Sequence, residues 1–101
     1  MINKIRGIVP VLHTPLTQAG EVDQDALIKI VEYLVQQSIG GLWVLGTGGE
    51  DMNLTFEQRK SVVKIVHEAN KNRKPLLVGC SFYALDESLM FLKFLNNYKF
   101  S

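Results

Sequence analysis

The sequence has 101 residues, 47% hydrophobic and 21% charged, with 11 Lys and Arg against 10 Asp and Glu and a formal net charge of +1. That length suits one small domain and falls short of two, and balanced charge without a basic stripe excludes a phosphate-driven nucleic-acid binder. No apolar run approaches the ~18–20 residues that span a bilayer, and the one cysteine, Cys80, excludes a disulfide framework, so no membrane partner is expected and the cytoplasm is the expected compartment.

The first element is an apolar run, Gly7-Ile8-Val9-Pro10-Val11-Leu12-His13, which predicts a strand over about 7–13. Broken by Pro10 and His13, it does not read as a signal peptide. A helix follows over about 24–38, with Leu27, Ile30, Val31, Leu34 and Val35 on one stripe, Asp23 as its cap and Gly40 as its stop. The second run, Gly41-Leu42-Trp43-Val44-Leu45-Gly46, predicts a strand over 41–46. Thr55 and Gln58 then have capping-box spacing at the start of a helix over 55–71, whose stripe is Val62, Ile65, Val66 and Ala69. The third run, Pro75-Leu76-Leu77-Val78-Gly79-Cys80, predicts a strand over 75–80. The last helix, over 86–97, has Leu85, Leu89, Leu92 and Leu95 as its expected stripe and Asp86 and Glu87 near its positive end. None of the three runs alternates apolar with polar residues, as expected of parallel strands covered on both faces.

Ile8, Leu42 and Leu76 recur at intervals of 34 residues. A tetratricopeptide unit has that length, but it is two helices; the branched runs and the glycines after Leu45 favour a strand and a return helix. The chain is therefore α/β: three βα units with right-handed crossovers and no internal domain boundary. Three such strands leave both sheet edges unpaired and leave the face with Val9, Val11, Trp43 and Leu77 without a cover. A full (β/α)8 barrel needs ~250 residues. The expectation is that residues 1–101 are the first three βα units of a (β/α)8 TIM barrel, truncated at Ser101; the other reading is a complete small α/β domain with an unusual ending.

The most informative stretch is Gly46-Thr47-Gly48-Gly49-Glu50-Asp51, between the second strand and the capped helix. In a barrel this is the C-terminal mouth, where active sites are built. Three glycines in four positions let backbone N–H groups converge on a small anion, and the Thr47 hydroxyl donates and accepts. A carboxylate or phosphate is the natural guest. The plainer reading is a tight strand-to-helix turn. No Lys follows as in a P-loop, and a G-x-G-x-x-G pattern fails at Asp51.

Gly7-Ile8-Val9-Pro10, Thr14-Pro15-Leu16, Gly20-Glu21-Val22-Asp23, Gly46-Thr47-x-Gly49-Glu50 and Leu54-Thr55, in this order and spacing, resemble the dihydrodipicolinate synthase and N-acetylneuraminate lyase family. The resemblance covers about residues 7–97. It implies a class I aldolase-type lyase or synthase on a TIM barrel, acting through a Schiff base between a lysine and pyruvate or a related 2-oxo acid, with no cofactor and no metal, and commonly as a homo-oligomer. It implies that Thr47 is a catalytic residue in a proton relay with a tyrosine, and that Thr47, Gly48 and Gly49 bind the substrate carboxylate. The family's second hydroxyl residue falls on Gly48, so one side-chain donor is missing. A hydrogen bond to a charged group is worth ~1.5–3 kcal/mol, or roughly ten- to a hundredfold in affinity.

In the family the Schiff-base lysine lies on the sixth strand and the tyrosine after the fifth, and neither region is present. Lys4, Lys29, Lys60, Lys64, Lys71, Lys74, Lys93 and Lys99 all fall outside the strand runs, whereas an amine nucleophile needs a desolvated pocket. The chain alone is therefore expected to be inactive. The alternative is a non-catalytic α/β module, a truncated or degenerate relative that self-associates. Among other residues, His13 is either a general base at the mouth or, more simply, a packed histidine. His67 is expected in solvent, Trp43 in the core, Cys80 as a buried inert thiol, Phe82 and Tyr83 as packing, and Glu50 as a brace of its own loop.

Overall fold

Leu42–Val44 (β1) and Leu76–Val78 (β2) pair in parallel, Leu42 with Leu76 and Val44 with Val78. The structure is a computed structural model and describes residues 7–46, 54–80, 82 and 84–98. Three helices accompany the sheet: Gln24–Val35 (α1), Phe56–Asn70 (α2) and Leu85–Leu95 (α3). The first apolar run, expected as a strand over 7–13, lies beside β1 as a third parallel line but joins it through one isolated bridge, Val11 to Trp43. The Leu12 amide donates to the Trp43 carbonyl and the Trp43 amide to the Pro10 carbonyl, each at 2.9 Å. Pro10 has no N–H to extend the ladder, so regular strand pairing stops there.

The other strands are also shorter than the runs that announced them, 42–44 instead of 41–46 and 76–78 instead of 75–80. Leu45 leaves extended geometry at φ 62° and ends β1. α1 starts where Asp23 caps it, its carboxylate accepting from the Ala26 amide at 3.1 Å. It ends at Val35 rather than 38, because 36–39 tighten into a turn that brings the Gly40 amide to the Ile8 carbonyl at 2.8 Å. α2 carries the full capping box: the Thr55 amide donates to Gln58 Oε1 at 2.8 Å and the Gln58 amide to Thr55 Oγ1 at 3.1 Å. Its far end is closed by Lys71 in the left-handed region. α3 spans 85–95 rather than 86–97.

All three helices lie on one face of the sheet. Leu42, Val44, Leu27, Val31, Val62, Val63, Val66 and Phe91 are buried to 1% exposure or less, each contributing about 1.5–3 kcal/mol. The opposite face carries Val11, Trp43 and Leu77, and Trp43 is 44% exposed. That is the face expected to lack a cover in an incomplete barrel, so burial on both faces is not reached among the described residues, and Trp43, expected in the core, is exposed. α3 departs further. Its buried residues are Phe91 and Leu95, whereas Leu85, Leu89 and Leu92 of the expected stripe are exposed. The helix is rotated because Phe91 and Phe94 join the aromatic cluster of Phe56, Phe82 and Tyr98, at centroid spacings of 5.4–5.6 Å. Burying those rings outweighs burying the leucines.

Candidate functional site at the sheet's C-terminal end

Both strands deliver their C-terminal ends to the same edge of the molecule. There β1 ends at Leu45, whose left-handed backbone costs ~1–2 kcal/mol. The Leu45 side chain is 2% exposed, and its burial, at about 1.5–3 kcal/mol, offsets that strain. The turn pushes the Leu45 carbonyl against β2, whose Gly79 amide donates to the Val44 carbonyl at 2.8 Å. A Cβ at position 79 would overlap the Leu45 carbonyl oxygen, so glycine is required there. Gly46 passes so close over Trp43 that a Cβ would lie 3.1 Å from the indole Nε1 and from Val11 Cγ1. The segment after Gly46 thus leaves from a tightly fixed pivot. Thr47, Gly48 and Gly49, the expected carboxylate-binding residues, lie outside the described residues, as do Glu50, Asp51 and Tyr83.

The chain returns at Leu54, which is buried, and Thr55. A small hairpin from the end of the first run sits beside them: Leu16 bridges Val22 antiparallel, and the Asp23 amide donates to the Pro15 carbonyl at 2.8 Å. Gln58 of the capping box donates from Nε2 to the Gly20 carbonyl at 2.6 Å. This bond ties the segment with Thr14-Pro15 to the residues that close the glycine-rich segment. The hairpin and the start of α2, 38 residues apart at this bond, therefore meet at one end of the sheet.

The chain matches the dihydrodipicolinate synthetase family over residues 4–98. It belongs to that family. Among curated relatives, the 4-hydroxy-tetrahydrodipicolinate synthase of Salinibacter ruber is 33% identical over 88 residues, which are 87% of this chain and 29% of that protein. Among solved structures, the N-acetylneuraminate lyase of Mycoplasma synoviae superimposes with a TM-score of 0.88 at 30% identity, over 95% of this chain and 34% of that one. A prophage protein of the dihydrodipicolinic acid synthase family from E. coli K12, solved in complex with pyruvate, matches with a TM-score of 0.85 at 26% identity, over 90% of this chain and 30% of that one. The chain spans less than a third of the Salinibacter relative's length. Its fold is that of the first three βα units of a (β/α)8 TIM barrel. The uncovered sheet face with Trp43 corresponds to the interior of such a barrel, and the edge with Leu45, Gly46 and Gly79 to its mouth.

The remaining candidates separate in space. His13 is exposed and lines an apolar groove with Lys29, Ile30, Tyr33 and Leu34. His67, expected in solvent, is half-buried with its ring edge-on to Tyr98 at 4.9 Å. Cys80 is a free, half-buried thiol beside the core. The described lysines all lie on helices or in turns, and Lys74 donates from Nζ to the Ile39 carbonyl. Among the described residues no group of three or more His, Cys, Asp or Glu is arranged to hold a metal ion, and no helix is long and apolar enough to cross a membrane. A bidentate ion pair lies away from the mouth, in the turn before β2. Arg73 donates from Nη1 and Nη2 to both Glu32 carboxylate oxygens at 3.0 and 2.7 Å. The bond from Arg73 holds the Glu32 carboxyl below its usual range, and the carboxylate raises Arg73.

One mouth residue has a weaker sequence signal. Arg59 is 3% exposed. Its position is legible only as a charge one turn before Val62 of the expected stripe.

Proposed function

We propose that this chain contributes the carboxylate-binding part of the mouth to a Schiff-base aldolase-type lyase or synthase acting on pyruvate or a related 2-oxo acid. The observation that carries the reading is the meeting of the Thr14-Pro15 hairpin with the glycine-rich segment's flanks through Gln58, at the barrel end where chemistry resides. The pyruvate in the E. coli relative supports the choice of ligand. In this reading the backbone N–H groups of Gly48 and Gly49 donate to the substrate carboxylate, and the Thr47 hydroxyl both contacts substrate and relays a proton. The amine that attacks the ketone comes from a lysine on another strand of the barrel, since the described lysines of this chain are solvated or in turns. The compartment is the cytoplasm.

Borohydride reduction of the chain mixed with pyruvate tests this division of labour. The expected mass spectrum shows no lysine adduct. A covalent adduct on any of the eight lysines would contradict it.

A second reading, the self-associating non-catalytic module, is favoured by a specific surface. Leu85, Leu89 and Leu92 stand 45–73% exposed along one stripe of α3, and exposed apolar surface of this kind marks contact sites. Homo-oligomerisation belongs to either reading. The native mass of the purified chain tests it.

A further inference from the structure

The sheet face turned away from the helices carries Val11, Trp43 and Leu77 side by side, and of these three side chains only Trp43 has a polar atom. Val11 bridges Trp43, and Leu77 pairs with it in register, so the indole has an apolar neighbour on each side. The ring is laid along β1 toward its C-terminal end. Its Nε1 and Cδ1 lie 3.1 and 3.3 Å from where a Cβ on Gly46 would stand, three residues further along the chain. Glycine at 46 leaves the room for that orientation. The edge of the indole that carries the N–H therefore reaches the mouth, and the side chain is 44% exposed. An indole N–H donates and cannot accept, and among the described residues no acceptor meets it. A donor between apolar neighbours binds an anion more strongly than the same donor in water, because the local dielectric is low.

We propose that the Trp43 indole N–H is a substrate-binding donor at the mouth, donating to one oxygen of a small carboxylate ligand. This donor deepens the functional reading above and rests on it for the nature of the ligand; its own placement comes from the first run, β1 and β2. It also answers a deficit in the sequence. The family's second hydroxyl residue falls on Gly48, which removes one side-chain donor, and Trp43 supplies another from β1.

The chain has one tryptophan, so its single indole N–H resonance is unambiguous. Titrating the nitrogen-15-labelled full chain with pyruvate should move that resonance saturably, along one binding curve with the amides of Gly46, Gly48 and Gly49. Methyl pyruvate, which lacks the charge, should leave it in place. Trp43→Phe keeps a ring and removes the donor; with helical content unchanged, it should bind pyruvate roughly ten- to a hundredfold more weakly. Amides that shift while the indole stays still would overturn the role of Trp43 and leave the functional reading intact, as would full affinity in Trp43→Phe. An equal indole shift with methyl pyruvate would overturn it too, since the ring would then be reporting contact rather than charge. An indole that shifts while Gly48 and Gly49 stay still would support the Trp43 donor and refute the carboxylate role of those glycines. A chain in which neither moves would refute both.

Discussion

Gly79 shows how one missing side chain sets the mouth. The left-handed turn at Leu45 needs room against β2, and only glycine leaves it. Gly79→Ala should destabilise the chain by about 1–3 kcal/mol through overpacking. A lower urea midpoint at unchanged slope would show this, and an unchanged midpoint would contradict it. Glu32 gives a prediction with a pH sign. Its folded carboxyl is held low, first by the hydrogen bond from Arg73, so its contribution is full above the ordinary glutamate value of about 4.3 and is lost as pH falls through the lower folded value. The difference in Tm between wild type and Glu32→Gln should be present at neutral pH and vanish in that acid window. The pair is exposed, so high salt should shrink the difference as well. Equal differences at neutral and acid pH would refute the assignment. Single residues were unevenly legible in the sequence. Thr55 and Gln58 announced their capping box by spacing alone, since it is a local motif. His67 and Trp43 were misjudged because their surroundings come from distant segments: Tyr98 covers one, and nothing described covers the other.

Elements were legible where their signals are local and blurred where packing decides. α1 and α2 stand where their stripes and caps put them, and only the ends moved. For α3 the leucine stripe pointed to the wrong face, because long-range aromatic contacts with Phe56 and Phe82 fixed its rotation. The first run lost strand pairing at Pro10 for want of one N–H. Removing the side-chain cap in Thr55→Ala should cost ~1 kcal/mol, which for a domain of this size lowers Tm by about 4–8 °C. A smaller loss would mean that packing of Val62 and Val66 holds α2 without its cap. The exposed leucines of α3 predict association. Sedimentation should show oligomers of wild type and a shift toward monomer in a Leu85→Lys, Leu89→Lys double variant with unchanged helical content. A wild-type monomer would remove the self-association reading.

At the scale of the molecule, three βα units with helices on one side make a sector of a cylinder, with one sheet face open and both edges unpaired among the described residues. The 34-residue recurrence made the βα units readable from sequence, and the resemblance to a TIM-barrel family made them readable as part of a barrel. The meeting of the Thr14-Pro15 hairpin with α2 was not readable, because the Gln58–Gly20 bond spans 38 residues. The proposed function requires that the segment after Gly46 hold a carboxylate. Titrating the isotope-labelled chain with pyruvate and following its amide resonances tests this most directly. The account predicts saturable shifts concentrated at Gly46, Thr47, Gly48 and Gly49, weakened in Thr47→Val. Resonances that stay unmoved at these four residues, or that move instead along the groove beside His13, would contradict it.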